Sequence, residues 1–231
     1  MTDKKISKFI PKNWKRLTLE LIVLFLGVTS GFVLNNWGQD AKEERIANLY
    51  LENLLMNVDD NIKTLEKIVE SDSVTLNRLK LNIDYMYVGG KSIDSMKVVF
   101  HILTGLKSYD FEQGTYDAML KSGSFNIIGD ADLKKNIVEY NDAINEVSFT
   151  DNVGFDRYKT IILPYILKES SIIHGRFIDE QKVLNSVEFE NIAALYYLSF
   201  KTSFSSYKNL LEKCRVLKDR LEKYGITVNN N

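Results

Sequence analysis

Few residues in this sequence are placed to do chemistry. Two histidines, His101 and His174, and one cysteine, Cys214, are fewer ligands than a zinc site needs, and their spacing is not that of one. His101 follows Val98-Val99-Phe100 in a helical pattern and is expected to pack, whereas His174 falls in a loop. Cys214 occupies an apolar helical position and reads as core. Gly89-Gly90-Lys91 lacks the spacing of a phosphate-cradling loop, and no serine stands in a G-x-S-x-G elbow. The acidic pairs Glu43-Glu44 and Asp59-Asp60 read as a solvated helix face. No catalytic residue, metal site or cofactor is therefore expected, and the chain is not expected to be an enzyme. Tyr196-Tyr197 with Phe200 and Phe204 are the remaining suggestive group. At helical spacing such aromatics either belong to a core or line a ligand pocket between helices.

The one acidic residue in an unusual place is Glu20. It opens an apolar run in which Leu21 to Leu34 carries no charge. As a helix, residues 17–37 would reach about 31 Å, the thickness of a bilayer's hydrocarbon core. Trp14 and Trp37 bracket the run where interfacial aromatics are expected. Lys4, Lys5, Lys8, Lys12, Lys15 and Arg16 precede it, and only Lys42 and Arg45 occur in the twenty residues after Trp37. The positive-inside rule then puts the N-terminus in the cytoplasm and residues 38–231 outside the inner membrane. A cleaved signal peptide, cut after small residues near Val28 and Ser30, is the alternative. The apolar run continues past that point through Leu34, which favours a retained anchor. Glu20, Gly27, Gly31 and Gly38 fall within about 20° of one line along such a helix. Gly27 and Gly31 form a GxxxG spacing, so this stripe is expected to meet another membrane helix. Alternatively, Glu20 pairs with Arg16 one turn earlier and reaches the headgroups.

The elements that would position these residues are helical. Only Pro11 and Pro164 interrupt a chain of 231 residues that is 45% hydrophobic and 26% charged, a composition of globular rather than disordered sequence. Apolar residues step by four and three through Leu51, Leu55, Val58, Ile62, Leu65, Val69, Leu76, Leu79, Ile83 and Met86, with Asp72 the one break in register. This predicts a long helix over 40–87, unless Ser71-Asp72-Ser73 caps a second one. Extra apolar residues at Leu54, Ile68 and Leu81 favour packing in a bundle over a two-stranded coiled coil. Gly89-Gly90 reads as a turn. A short helix from Ser92 or Asp94 to Leu103 follows, and another around Tyr116–Leu120 is stopped by Gly123. Asp130 is a good cap for a helix from Ala131 that continues, with a kink, towards Pro164. Asn185 with Glu188 has the spacing of a capping box for a long last helix ending at Gly225. The expected fold is all-α: a basic tail (1–16), a transmembrane helix (17–37), an antiparallel helical bundle with long first and last helices (38–225) and a short tail (226–231).

The run Glu20-Leu21-Ile22-Val23 through Leu34-Asn35-Asn36-Trp37, followed by Glu44-Arg45, Tyr50-Leu51 and Leu54, resembles an uncharacterised family of single-span bacterial membrane proteins. Thr115-Tyr116, Leu120, Ser122-Gly123 and Ile127-Ile128 resemble that family's second motif. The resemblance implies an anchored outer domain and carries over no catalytic residue. Tyr116, Ser122, Gly123 and Phe125 mark the loop-rich patch expected to carry recognition.

Charge narrows the partners. Without its first twenty residues the chain has 24 basic and 29 acidic groups, a net of −5 without a basic stripe, which argues against nucleic acid. The expected partners are the lipid bilayer and either another membrane protein or a second copy of the chain. Three functions fit: an accessory or scaffold protein assembling through its helices, an extracytoplasmic module that senses a small ligand or peptide, and a proton-coupled, stator-like subunit using Glu20.

Overall fold

The structure, a computed structural model, describes residues 14–88, 92–105 and 109–227. The basic residues before Trp14, the Gly89-Gly90 turn and the final tail from residue 228 lie outside the described residues. The chain is all-α. Helices are α1 (Trp14–Tyr87), α2 (Ile93–Leu103), α3 (Gly114–Ser122), α4 (Ser124–Ile127), α5 (Ala131–Arg157), α6 (Leu163–Glu169), α7 (Glu180–Leu184) and α8 (Val187–Lys223). A π-helical turn, Tyr158–Ile162, joins α5 to α6, and two-residue strands β1 (Ser170–Ser171) and β2 (Arg176–Phe177) pair antiparallel in a small hairpin. Two compact units, Met1–Ile46 and Ala47–Asn231, divide the chain.

In the first unit the described residues are the start of α1. By length and composition it is the one helix among the described residues long and apolar enough to cross a membrane, and its apolar window is wholly unburied. Trp14 and Trp37 are exposed. Arg16 Nε donates to Glu20 Oε1 at 3.1 Å, the local pairing open to an acid four residues on. A Cβ placed on Gly27, Gly31 or Gly38 would meet nothing within 4 Å.

In the second unit the stripe read from the sequence is the buried face of α1: Leu51, Leu55, Val58, Leu65, Leu79 and Met86 are at most 2% exposed. Ile62, Val69 and Ile83 sit at the margin of this face, half-buried. Ser71-Asp72-Ser73 does not cap a new helix. The Ser71 hydroxyl is spent on Ile68 O (3.1 Å) and Asp72 Oδ1 (3.3 Å), and α1 runs on unbroken. Polar links join α5 to α8 in a falling series: Asp130 to Arg220 (2.7 Å), Glu139 to Lys213 (3.0 Å), Glu146 to Asn209 (3.1 Å) and Arg157 to Ser199 (3.1 Å). Partner numbers decrease as α5 advances, so these two helices run in opposite directions. Asp59 with Lys218 (2.7 Å) and Glu66 with Arg215 (2.8 Å) fix α8 to α1.

The helix ends follow local rules. Asp130 Oδ1 accepts from Leu133 N at 2.9 Å, and Ser92 accepts from Ser95 N at 3.2 Å. Gly123 and Gly225 end α3 and α8 with φ of 76° and 93°. The start of α8 differs from the Asn185 cap expected from the sequence. Asn185 N still donates to Gln181 O within α7, so the extended residue that caps α8 is Ser186, accepting from Phe189 N. Beyond Gly225 the chain folds back, and Ile226, assigned to the tail by sequence, is 7% exposed.

Candidate functional site

Two separate apolar clusters make up the core of the second unit. One gathers Leu51 to Ile68 of α1 with Leu133 to Val147 of α5 and Tyr207 to Leu221 of α8. The other gathers Leu79 and Met86 with α2, α6, the hairpin, α7 and Phe189 to Tyr196 of α8. Along α1 the clusters are separated by the stretch containing Asp72, and along α8 by the stretch from Tyr196 to Tyr207. A cavity of about 530 Å³ occupies this break. That volume lies within the range of about 300–1,000 Å³ usual for small-molecule sites.

Each wall has its own chemistry. From α1 come Asp72 and Thr75, from α2 and the segment after it His101, Ile102, Gly105 and Tyr109. α5 contributes Asp151, Asn152, Gly154 and Phe155, and the π turn contributes Tyr158 and Ile162. α8 supplies Tyr196, Ser199, Phe200, Ser203 and Tyr207. The π turn arises where Leu163 N–H reaches back to Tyr158 O instead of the carbonyl four residues before it. Such turns widen a helix locally, are uncommon, and concentrate at functional sites. Here the widened turn forms one part of the cavity wall, through Tyr158 and Ile162.

The polar groups of the cavity form a fixed set. The Tyr207 hydroxyl donates to Asp151 Oδ2 at 2.7 Å. The Ser203 side chain lies close enough to the same carboxylate to favour its charged form. Burial raises the Asp151 pKa above the ordinary aspartate value; the bond from Tyr207 and the nearness of Ser203 oppose this, and the charge of Asp72 adds to it. Burial also raises the pKa of Tyr207, reinforced by Asp151, and that of Tyr196, reinforced by Tyr158 and Asp72. Both phenols therefore stay protonated donors. The Tyr196 hydroxyl lies 3.2 Å from Ile102 O and 3.0 Å from Gly105 O and ties α8 to the end of α2. Its ring stacks on Phe200, with centroids 6.1 Å apart and planes 11° from parallel. Asp72 is 2% exposed, a carboxylate buried where the heptad pattern calls for an apolar side chain.

Several residues singled out by sequence are brought here, and others are not. Tyr196 and Phe200 line the cavity, while Tyr197 packs beside the second core cluster and the Phe204 ring lies under Lys208 Nζ at 5.9 Å. His101 is exposed at the cavity wall rather than packed in the core, because its helix turns the adjacent Phe100 inward, against Phe177 at 4.6 Å. His174 is exposed in the hairpin turn. Cys214 is fully buried, and burial pushes its thiol pKa up to about 12. No group of three potential metal ligands occurs among the described residues. Tyr116 and Phe125 meet edge to face at 6.0 Å and lean on the first core cluster, with Ser122 bonded to Ser124 Oγ at 2.9 Å. That patch is away from the cavity. Sequence reasoning missed Asp151, Tyr158, Ser203 and Tyr207. The available signal was polar residues at core positions, Asp72 above all. No family model, curated protein or solved structure matches this chain.

Proposed function

We propose that this chain is a membrane-anchored receptor module for a small molecule. In this reading residues 17–37 span the inner membrane with the N-terminus cytoplasmic. Residues 38–225 form an antiparallel helical bundle outside, and the cavity between its two core clusters holds the ligand. The supporting observation is the cavity. A chain that only had to make a rod or a scaffold would gain by closing its core with apolar side chains, since each buried carboxylate is costly. Here Asp72, Asp151, Ser203 and Tyr207 occupy those positions instead. The test is native mass spectrometry of the full-length protein released from its own membranes in mild detergent, followed by thermal-shift screening. A bound small molecule, or a metabolite that raises the melting temperature, is the expected outcome. A protein that carries nothing and responds to no compound would end the receptor reading.

Assembly through the membrane segment is a second reading, favoured by the open surface at Gly27, Gly31 and Gly38. Without side chains there, a partner helix can approach to backbone contact. Gly27→Leu with Gly31→Leu should reduce the size of the complex seen in detergent, and an unchanged complex removes this reading.

A further inference from the structure

The loop between β1 and β2 puts apolar residues where the chain itself does not cover them. Gly175 N donates to Ile172 O at 3.1 Å and Gly175 has a φ of 60°, so Ile172 to Gly175 make a tight turn. Turn corners are usually polar or glycine. This one carries Ile173, which at 94% is the most exposed large apolar residue among those described. Ile172 beside it and Ile178 past the second strand are exposed as well. Phe177 turns inward instead and packs on Phe100 and Phe189 in the second core cluster. The hairpin is thus fixed at its base and apolar at its tip.

Charge and area point to what covers this tip. From Ser170 to Ile178 the sequence has Arg176 and no acid. Arg176 is exposed and makes no ion pair among the described residues. The acids at the hairpin base are engaged: Glu169 by Lys168 at 3.3 Å and Lys182 at 2.9 Å, Glu180 by Lys97 at 3.3 Å, and Asp179 as the cap of α7. Glu188, in the first turn of α8, acts on Lys182. Segments 89–91 and 106–108, outside the described residues, hold two lysines and no acid, so they cannot reverse this balance. A stable protein interface covers roughly 800 Å² on each partner, several times what two or three side chains offer. A lipid surface sets no such minimum: single apolar side chains enter its interfacial layer, and anionic headgroups attract arginine.

We propose that the β1–β2 hairpin is a second lipid contact of this protein, resting on the anchored reading for the first. Ile172 and Ile173 enter the interfacial layer of a bilayer that contains anionic phospholipid, and Arg176 meets its phosphate groups. The open backbone groups of the turn stay at headgroup depth, where water still reaches them. Affinity scales with buried apolar area, so two isoleucines make a weak contact that adds to an anchor and does not replace one.

The experiment holds the full-length protein in phosphatidylcholine nanodiscs and sediments it with sucrose-loaded phosphatidylcholine vesicles, with or without phosphatidylglycerol. Loaded discs should sediment with the phosphatidylglycerol vesicles about tenfold more than empty discs do, and less with phosphatidylcholine alone. Ile172→Ser combined with Ile173→Ser should lower this binding about tenfold or more. Arg176→Gln should lower it about fivefold on phosphatidylglycerol and leave binding to phosphatidylcholine unchanged. All three substitutions fall on exposed side chains, so the melting temperature should hold. Equal binding by wild type and the double-serine variant, or no binding at all, would overturn the proposal. So would discs that pair without vesicles and lose that pairing in the double-serine variant, since a second copy would then be the occupant. A chain that stays out of the discs fails the anchored reading instead. It is then used free in the same comparison, and the hairpin stands or falls on that result.

Discussion

At the scale of single residues, the consequential group is the Tyr207–Asp151 pair. A phenol donating at 2.7 Å to a half-buried carboxylate is a charge-assisted bond. Tyr207→Phe should therefore destabilise the domain by about 1.5–3 kcal/mol, the usual range for a hydrogen bond to a charged group, read from the urea midpoint. Asp151 also has a pH signature. Its folded pKa is raised, so the fold holds its proton more tightly than the unfolded chain does. The stability it lends is complete below the ordinary aspartate pKa and is lost as pH rises through the raised one. Melting curves of wild type and Asp151→Asn across the acid-to-neutral range should accordingly diverge, the variant gaining on wild type as pH increases. A constant offset would mean that Asp151 titrates alike in both states. Asp72 is the residue that sequence reading registered but did not use. A carboxylate in a heptad seam was visible as an interruption, and its meaning came only once the seam was seen to divide two clusters.

At the scale of elements, helix ends and periodic faces were legible because they depend on neighbours a few residues away. Ser92, Asp130, Gly123 and Gly225 all act where local rules put them, and the α1 stripe is buried as its spacing requires. The π turn was not legible, since the kink was read only as an effect of Pro164 and nothing local fixes a five-residue turn. Which aromatics of α8 face a cavity was equally hidden, because that depends on what α1 and α5 leave unfilled. Glycines give a clean contrast. Gly123 has positive φ and open space around a would-be Cβ, so Gly123→Ala should cost about 1–2 kcal/mol from backbone strain alone. Gly154 lies within α5 in ordinary helical conformation, and Gly154→Ala should gain up to about 1 kcal/mol. Denaturation midpoints moving in opposite directions would check both. The α5–α8 links add a pH dependence opposite in sign to that of Asp151. Asp130 and Glu139 are held below ordinary carboxylate values, chiefly by bonds from Arg220 and Lys213. Their contribution is present above the ordinary value and fades as pH falls through the lowered one. Arg220→Ala should flatten this acid limb of the melting curve.

At the scale of the whole molecule, the anchored reading makes a plain prediction: the full-length protein should stay in the membrane pellet after an alkaline carbonate wash. Release into the wash would favour a cleaved leader instead. That a long apolar helix runs near the N-terminus was the most legible feature of the chain, since its composition and periodicity suffice to read a helix there. Function was the least legible, since the receptor reading depends on a space that no single segment encodes. The state of Cys214 bears directly on settling the topology. It is the only cysteine in the chain, fully buried, and its thiol is shifted far from the reactive thiolate. The natural protein should therefore react little with maleimides, and a cysteine can be introduced without first removing Cys214. A lone reporter at Ile173, which is 94% exposed, and another at Thr2 would read sidedness in intact cells with an impermeant reagent. The same two positions would carry a spin label or a dye, so sidedness and ligand response can be followed in a chain that differs from the native one by a single side chain.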